Sequence, residues 1–200
     1  MRRVALTGGI GTGKSHVVSL LRQRSVPTID ADQVSRAVVE PGRPAHSALR
    51  SRFGDAIFDA TDQLDRRALA SIIFNDPVAR TDLEAIVHPP VREAIDAWFR
   101  RCSETTASAF AIADIPLLFE TGRADAFDHV VVVTCAPEVQ VLRVMQRDQL
   151  TESEVRKRIA VQLPIEEKAA LADWVVQTDG SFDDTARQVD AFCRALTRVT

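Results

Sequence analysis

The sequence predicts an α/β fold in which a parallel five-stranded sheet is covered by helices on both faces. Five short apolar runs alternate with segments whose apolar residues recur at helical spacing, an order typical of parallel sheets with right-handed crossovers. The runs at residues 109–113 and 130–133 are apolar throughout, which indicates strands buried on both faces. A glycine-rich loop follows the first run, and such folds bind their ligands beyond the carboxyl ends of the strands.

The composition is that of an ordinary globular chain, with 46% hydrophobic and 26% charged residues among 200. A net charge of −3 provides no basic field that would attract nucleic acid. The three cysteines are far apart and have no metal or redox spacing, which argues for a reducing compartment and against disulfides or zinc. Because no apolar segment has the length of a signal peptide or a membrane span, we expect a cytoplasmic protein without a membrane partner.

The glycine-rich loop at residues 8–15 matches the phosphate-binding pattern G-x-x-x-x-G-K-S/T at every fixed position. A strand at residues 4–7 precedes it and a helix to about Arg24 follows, which is the context that the pattern requires. Glycines let successive backbone N–H groups surround an anion, and the helix N-terminus adds partial positive charge. Lys14 can reach the β- and γ-phosphates, and the Ser15 hydroxyl can bind Mg²⁺. The predicted ATP-binding residues are Gly9, Ile10, Gly11, Thr12, Gly13, Lys14, Ser15 and His16.

A second strand is predicted at residues 26–29, followed by a helix that begins after Asp30 as its cap and ends before Pro41. Residues 44–103 show no strand pattern. Their apolar residues recur at helical intervals, with breaks predicted at Gly54, at residues 76–77 and at the two prolines of residues 88–90. The segment is too long to be a simple strand-to-helix connection, so we interpret it as an insertion that holds the second substrate.

The remaining strands are predicted at residues 109–113, 130–133 and 174–176. Helices are predicted at residues 137–147, from the capping box of Thr151 and Glu154 towards Gln162, and at the C-terminus.

Carboxylates follow several of these strands. Asp30 and Asp32 follow the second strand, Asp114 the third and Asp179 the fifth. Because parallel strands end at the same edge of a sheet, we expect these side chains to converge with the glycine-rich loop in one crevice.

Further motifs are spread over nearly the whole chain, from Val4 to Leu196. They are Leu6-Thr7-Gly8-Gly9-Ile10-Gly11 with Gly13-Lys14-Ser15, Ile29-Asp30-Ala31-Asp32, Val39-Glu40-Pro41-Gly42, Leu64-Asp65-Arg66, His88-Pro89 with Arg92, Ile115-Pro116-Leu117-Leu118-Phe119-Glu120, Gln146-Arg147-Asp148, Arg158 with Gln162, Glu167-Lys168 and Ala172-Asp173. A phosphate-binding loop alone indicates only a superfamily, but this combination resembles the dephospho-coenzyme A kinase family.

The resemblance implies transfer of the γ-phosphoryl group of ATP, with Mg²⁺, to the ribose 3′-hydroxyl of dephospho-CoA, the last step of coenzyme A synthesis. It also implies a three-layer P-loop kinase of the nucleoside monophosphate kinase type, here expected as a monomer or weak homo-oligomer. The expected parts are a nucleotide-binding core at residues 1–43, 104–148 and 166–200, a helical substrate (CoA) domain at 44–103 and a lid at 149–165.

Phosphoryl transfer needs positioned cations and a carboxylate that accepts the proton of the acceptor hydroxyl. The position of Asp32 in a first helical turn suits a base and a carboxylate favoured by the helix dipole equally well, and the resemblance makes it the base. Arg143 and Arg147 share a helix face, and spacing alone leaves a catalytic pair and a solvated stripe equally open. The resemblance selects Arg147, so the expected catalytic residues are Asp32, Lys14 and Arg147.

The resemblance also suggests residues for the acceptor, while the loop pattern and the end of the third strand suggest ligands for the metal. The expected substrate-binding residues are Thr7, Asp32, Arg66, His88, Leu117 and Phe119, and the expected Mg²⁺ ligands are Ser15 and Asp114. A structural role is an open alternative for His88, Phe119 and Asp114. The family typically has Asp-Asn where this chain has Gln177 and Thr178, in a loop that we expect to border the adenine.

Two other functions fit parts of the sequence. One is a kinase for nucleosides or nucleoside monophosphates on the same fold. The other is a nucleotide-dependent switch, which would need switch segments and a base-specific motif such as N-K-x-D, and the chain contains no such motif.

Overall fold

The computed structural model of the protein describes residues 1–198. Val199 and Thr200, which the sequence assigns to the predicted nucleotide-binding core, lie outside the described residues. The strands are β1 (Arg2–Gly8), β2 (Thr28–Asp30), β3 (Phe110–Asp114), β4 (His129–Thr134) and β5 (Trp174–Gln177). They form one sheet in the order β2-β3-β1-β4-β5, with β1 pairing in parallel with β3 and β4, and β4 with β5. The five predicted strands are therefore confirmed, with small shifts at their ends.

The helices are α1 (Lys14–Gln23), α2 (Ala31–Ala37), α3 (Pro44–Phe53), α4 (Arg66–Asn75), α5 (Pro77–Thr105), α6 (Pro137–Asp148), α7 (Glu152–Ala160), α8 (Ile165–Ala170) and α9 (Phe182–Arg198). Helix α8 is missing from the sequence prediction because a six-residue helix is too short to show helical periodicity. None of the helices in the described part of the chain is both long and apolar enough to cross a membrane.

The chain divides into two compact units, one with Met1–Ile29 and the chain from Arg101 onward, the other with Asp30–Arg100. In the first unit, β1, β3 and β4 supply fully buried aliphatic side chains, which pack with one face of α1 and with α9. This core places the loop after β1 and the carboxyl ends of β3, β4 and β5 on one edge of the sheet. Ligand sites in parallel sheets occur at that edge.

The second unit has a separate apolar core. Val39, Ala45, Leu49, Ile57 and Leu69 are buried there, and side chains of α4 and the first half of α5 pack against them. Arg50 stacks over the ring of Phe58 at 4.3 Å, which covers one side of this core.

The predicted helix break at residues 88–90 is wrong, because α5 continues through Pro89 and Pro90. An interior proline removes a backbone hydrogen bond and costs about 3 kcal/mol or more. The apolar residues continue in phase across the prolines, and Val91, Ile95 and Phe99 beyond them are buried. Burial of such side chains contributes about 1.5–3 kcal/mol each, so the packed face offsets the cost of the prolines.

The capping box predicted at the start of α7 is confirmed. The Thr151 hydroxyl accepts the N–H of Glu154, and the Glu154 carboxylate accepts the N–H of Thr151 at 2.9 Å. Val155 is buried against Val141 and Val144 of α6, so α7 is attached to α6 through a small apolar cluster.

Candidate active site

The glycine-rich loop is packed closely against its surroundings. At Gly8 a Cβ would lie 2.6 Å from the carbonyl oxygen of Val133 in β4. Gly11 has a φ of 78°, and a Cβ there would lie 2.6 Å from Cγ2 of Val144 in α6. Only glycine fits both positions, so the conformation of the loop depends on the glycines of the motif.

Thr12 and Thr178 stabilise the turn of the loop. The Thr12 hydroxyl donates to the carbonyl oxygen of Gly9 at 2.9 Å. The Thr178 hydroxyl, just after β5, donates to the carbonyl oxygen of Thr12 at 2.7 Å, and Thr178 is 5% exposed. Thr178, one of the two residues that depart from the family pattern, therefore supports the loop directly. Its contact with Thr12 joins positions 166 apart, so the sequence alone could not reveal it.

Lys14 begins α1, and its ammonium group donates a hydrogen bond to the carboxylate of Asp114 at the end of β3. The two side chains are 17% and 12% exposed. Leu6 in β1 pairs with Asp114 in the sheet register, so the strand pairing brings this carboxylate to the loop. The first unit therefore assembles the loop, the lysine and one acidic residue, as expected from the strand ends.

The residues around Lys14 suit Mg²⁺, which prefers oxygen ligands and is often held by one or two protein groups together with substrate phosphates. Ser15 is exposed in the first turn of α1 and supplies a hydroxyl next to Lys14. Asp114 supplies a carboxylate next to the same lysine. Within the described residues no cluster of three or more His, Cys, Asp or Glu side chains could hold a metal ion.

His16 is the last residue of the predicted ATP-binding set. Its imidazole packs edge-on against the ring of Phe182, with ring centroids 4.8 Å apart, and Phe182 is 77% exposed. The side chain of His16 therefore lies against the start of α9, while its backbone N–H remains in the first turn of α1.

The two arginines on α6 have different partners. Arg143 donates to the hydroxyl and to the carbonyl oxygen of Thr178, at 2.8 and 2.6 Å. Arg147 is 60% exposed and donates through Nε and Nη2 to both carboxylate oxygens of Asp148, at 2.7 and 3.0 Å. Arg158 of α7 donates to the same carboxylate at 3.3 Å. Asp148 therefore holds two cations together at the junction of α6 and α7.

In the second unit, Asp30 and Asp32 differ in what their carboxylates do. Oδ1 of Asp30 accepts the N–H groups of Asp32 and Gln33, at 2.8 and 3.2 Å, which makes Asp30 the N-cap of α2. Asp32 is exposed in the first turn of that helix.

Arg66, at the start of α4, lies in the electrostatic field of α2. Desolvation lowers the pKa of Arg66 although much of the residue is exposed, the charge of Arg36 lowers it further, and the charge of Asp32 raises it. Two predicted site residues, Asp32 and Arg66, thus lie close enough to interact. Arg36, four residues after Asp32 on α2, belongs to the same group of interacting charges.

The other predicted substrate residues lie in both units. Thr7 is fully buried, and its hydroxyl donates to the carbonyl oxygen of Pro116 at 3.1 Å. In the turn after β3, Leu117 is 43% exposed and Phe119 is partly buried. His88 lies inside α5 and is partly buried. The structure thus places Thr7 next to the turn that carries Leu117 and Phe119, all within the first unit.

Comparison with known proteins gives consistent matches. The sequence model of the family described as dephospho-CoA kinase matches residues 2–184. A dephospho-CoA kinase from Anaeromyxobacter dehalogenans is 45% identical over 190 residues, covering 95% of this chain and 90% of the relative. A solved structure from Thermus thermophilus has a TM-score of 0.84 and 35% identity, and covers 100% of this chain and 98% of its own. Dephospho-CoA kinase from Campylobacter jejuni has a TM-score of 0.73 and 25% identity, covering 98% and 97%. These matches favour neither a nucleoside kinase nor a nucleotide-dependent switch.

Proposed function

Because this chain belongs to the dephospho-CoA kinase family, which phosphorylates dephospho-CoA in coenzyme A synthesis, we propose how its residues divide that work. The observation that carries the proposal is the different use of two neighbouring carboxylates. Asp30 is occupied as a helix cap, whereas Asp32 is exposed beside the positive charge of Arg66.

On the donor side, the residues of the phosphate-binding loop hold ATP. The loop of Gly9 to His16 surrounds the phosphates, and the Lys14 ammonium exchanges Asp114 for phosphate oxygen and neutralises charge on the transferred group. Ser15 and Asp114 would hold Mg²⁺, which when bound neutralises phosphate charge and orients the γ-phosphoryl group.

On the acceptor side, Asp32 accepts the proton of the ribose 3′-hydroxyl of dephospho-CoA as that oxygen bonds to the γ-phosphorus atom of ATP. The bond from this phosphorus to the oxygen that bridges it to the β-phosphate breaks, and ADP leaves. Asp32 is exposed, so its carboxylate is accessible to the acceptor, and a cation interacts with it. Arg66 supplies that cation and also suits a phosphate of the acceptor.

The remaining assignments follow the same division. We assign acceptor binding to the helical segment 44–103 with His88, and also to Thr7, Leu117 and Phe119 of the first unit. We assign closure over the phosphates to a lid at residues 149–165, which carries α7. Leu117 supports the assignment of the first unit to acceptor binding, because a leucine that is 43% exposed offers apolar contact to a ligand. Arg147 precedes the lid and would act as a cation on the transferred phosphate. A cytoplasmic location and a monomeric or weakly associated state remain predictions from the sequence.

The assignment of base and cap is tested by two matched substitutions. Asp32→Asn removes the proton acceptor with little change in shape, so kcat should fall by ~10²–10⁴ while the KM for ATP stays within a few-fold. Asp30→Asn should leave kcat nearly unchanged, because Asn caps helices about as well as Asp. Steady-state kinetics with dephospho-CoA and ATP measure both, and thermal unfolding checks that the variants are folded. An inactive Asp30→Asn beside an active Asp32→Asn would exchange the two roles.

A further inference from the structure

Lys168 of α8 is fully buried, which is unusual for a charged side chain. Its ammonium group lies 2.7 Å from Oε1 of Glu120 and 3.4 Å from the carbonyl oxygen of Pro116. A buried charge requires such partners, since its removal from water is otherwise strongly unfavourable. Both partners belong to the turn after β3, at residues 116–120.

Each partner of Lys168 has a second hydrogen bond within the first unit. The carbonyl oxygen of Pro116 also accepts the hydroxyl of Thr7, at 3.1 Å. Oε1 of Glu120 also accepts the backbone N–H of Leu163, at 3.0 Å. Lys168 therefore binds both ends of the 116–120 turn, and Leu117 lies between these two anchored points.

Gln162, next to Leu163, makes a parallel contact with the phosphate-binding loop. Its Oε1 accepts the N–H of Ile10 at 2.9 Å. The carbonyl oxygen of Ile10 accepts Nε2 of Gln140, which is 2% exposed, at 2.6 Å. The Ile10 residue is thus held at both its N–H and its C=O by glutamine side chains.

Residues 162–168, which we call the strap, are therefore bound at one end to the phosphate-binding loop and at the other to the 116–120 turn. We propose that the strap sets the geometry of these two loops for phosphoryl transfer, with Gln162 as the positioning residue for the donor loop and Lys168 for the acceptor turn. The proposal rests on the function proposed above, because it assigns the turn to the acceptor.

A purely stabilising role does not explain why a buried ion pair, Lys168 with Glu120, occupies this place. Replacement of a buried ion pair by apolar side chains of similar volume is often neutral or stabilising, so stability alone does not require Lys168. Positioning does require it, because a displacement of about 1 Å at a reacting group can cost on the order of 10² in rate.

The test compares two variants that should affect different substrates. Lys168→Met releases the 116–120 turn, so the KM for dephospho-CoA should rise by about tenfold or more while the KM for ATP stays within about threefold. Gln162→Met releases Ile10, so the KM for ATP should rise by about tenfold or more while the KM for dephospho-CoA stays within about threefold. Arg24→Met is the matched control, because it removes an ion pair with Asp190 between α1 and α9, away from both loops. It should lower thermal stability and leave both KM values within about twofold.

A double variant keeps the test valid if Lys168→Met does not fold. Glu120→Met with Lys168→Met removes both charges and leaves none unpaired, so it should fold and still show the raised KM for dephospho-CoA. Amide hydrogen exchange should also accelerate at residues 117–121 in Lys168→Met and in the double variant. This result does not depend on which substrate the protein phosphorylates.

Unchanged KM values and unchanged exchange, with only a lower melting temperature, would overturn the inference and leave the proposed function intact. Wild-type protein that does not phosphorylate dephospho-CoA would overturn the proposed function. Accelerated exchange in that case would still support the role of Lys168 in fixing the turn.

Discussion

Among single residues, Asp148 shows how the chain keeps its cations in place. Its carboxylate binds Arg147 and Arg158 together, and the hydrogen bond from Arg147 holds its pKa below the ordinary value despite partial desolvation. We expect a triphosphate to replace this carboxylate, since phosphate oxygens accept the same hydrogen bonds from arginine.

Arg147 should act on the transition state rather than on substrate binding alone. Loss of the cation in Arg147→Ala should lower kcat by a factor on the order of 10³, comparable to the low end for arginine fingers. Single-turnover kinetics at saturating ATP would measure this effect, and the exposed Arg187→Ala on α9 serves as a control with a similar change in charge. A normal kcat with only a raised KM for ATP would show that Arg147 contributes to substrate binding and not to the transition state.

At this scale the sequence predicts residues that belong to local motifs and misses those defined by distant contacts. Lys14, Ser15 and the loop glycines are predictable because their chemistry depends on neighbours in the chain. Gln140 and Gln162 contact Ile10 across 130 and 152 positions, so their role depends on the packing of α6 and the strap. Gln162 and Lys168 both belong to motifs in the sequence, but spacing reveals neither the contact of Gln162 with Ile10 nor the burial of Lys168.

At the level of elements, the turn at residues 116–120 links stability to pH through Glu120. Burial tends to raise the pKa of Glu120, but the hydrogen bond from Lys168 and those from backbone N–H groups outweigh it and hold the pKa below the ordinary value of 4.5. A lowered pKa in the folded state stabilises the protein above the unfolded value, and this stabilisation is lost as the pH falls through the folded value.

The free energy of unfolding should therefore differ between wild type and Glu120→Gln by a constant amount above pH 5. The difference should shrink as the pH falls below 4.5, because only the wild type loses this contribution. Urea unfolding between pH 7 and pH 3 measures it, and the other carboxylates cancel because both proteins share them. A difference that stays constant to pH 3, or grows, would contradict the assigned direction of the pKa.

Helix α5 shows why element boundaries are harder to predict than elements. Pro89 and Pro90 are strong local signals for a break, yet the buried face continues through them. Local propensity is a weak prior that tertiary packing can override. The opposite case is α7, where Thr151 and Glu154 are neighbours in sequence and their capping box was predicted from that spacing alone.

For the whole molecule, the sequence predicts the number of strands and their parallel arrangement but not their order. The order β2-β3-β1-β4-β5 places β1 in the centre, so the loop after it lies between the ends of β3 and β4. This arrangement is what brings Asp114 to Lys14, and it arises from pairing between strands more than 100 positions apart. The convergence of Asp32 with that site is a prediction that the kinetics of Asp32→Asn will test.

The protein belongs to the dephospho-CoA kinase family and should transfer the γ-phosphoryl group of ATP to the 3′-hydroxyl of dephospho-CoA. The most direct measurement is ADP formation with a panel of acceptors, namely dephospho-CoA, AMP, adenosine and water, with ³¹P NMR of the product. We predict rapid ADP formation only with dephospho-CoA, one new phosphate monoester on its ribose, and little turnover of AMP. Efficient phosphorylation of AMP or adenosine without reaction of dephospho-CoA, or slow ATP hydrolysis unchanged by any acceptor, would contradict this activity.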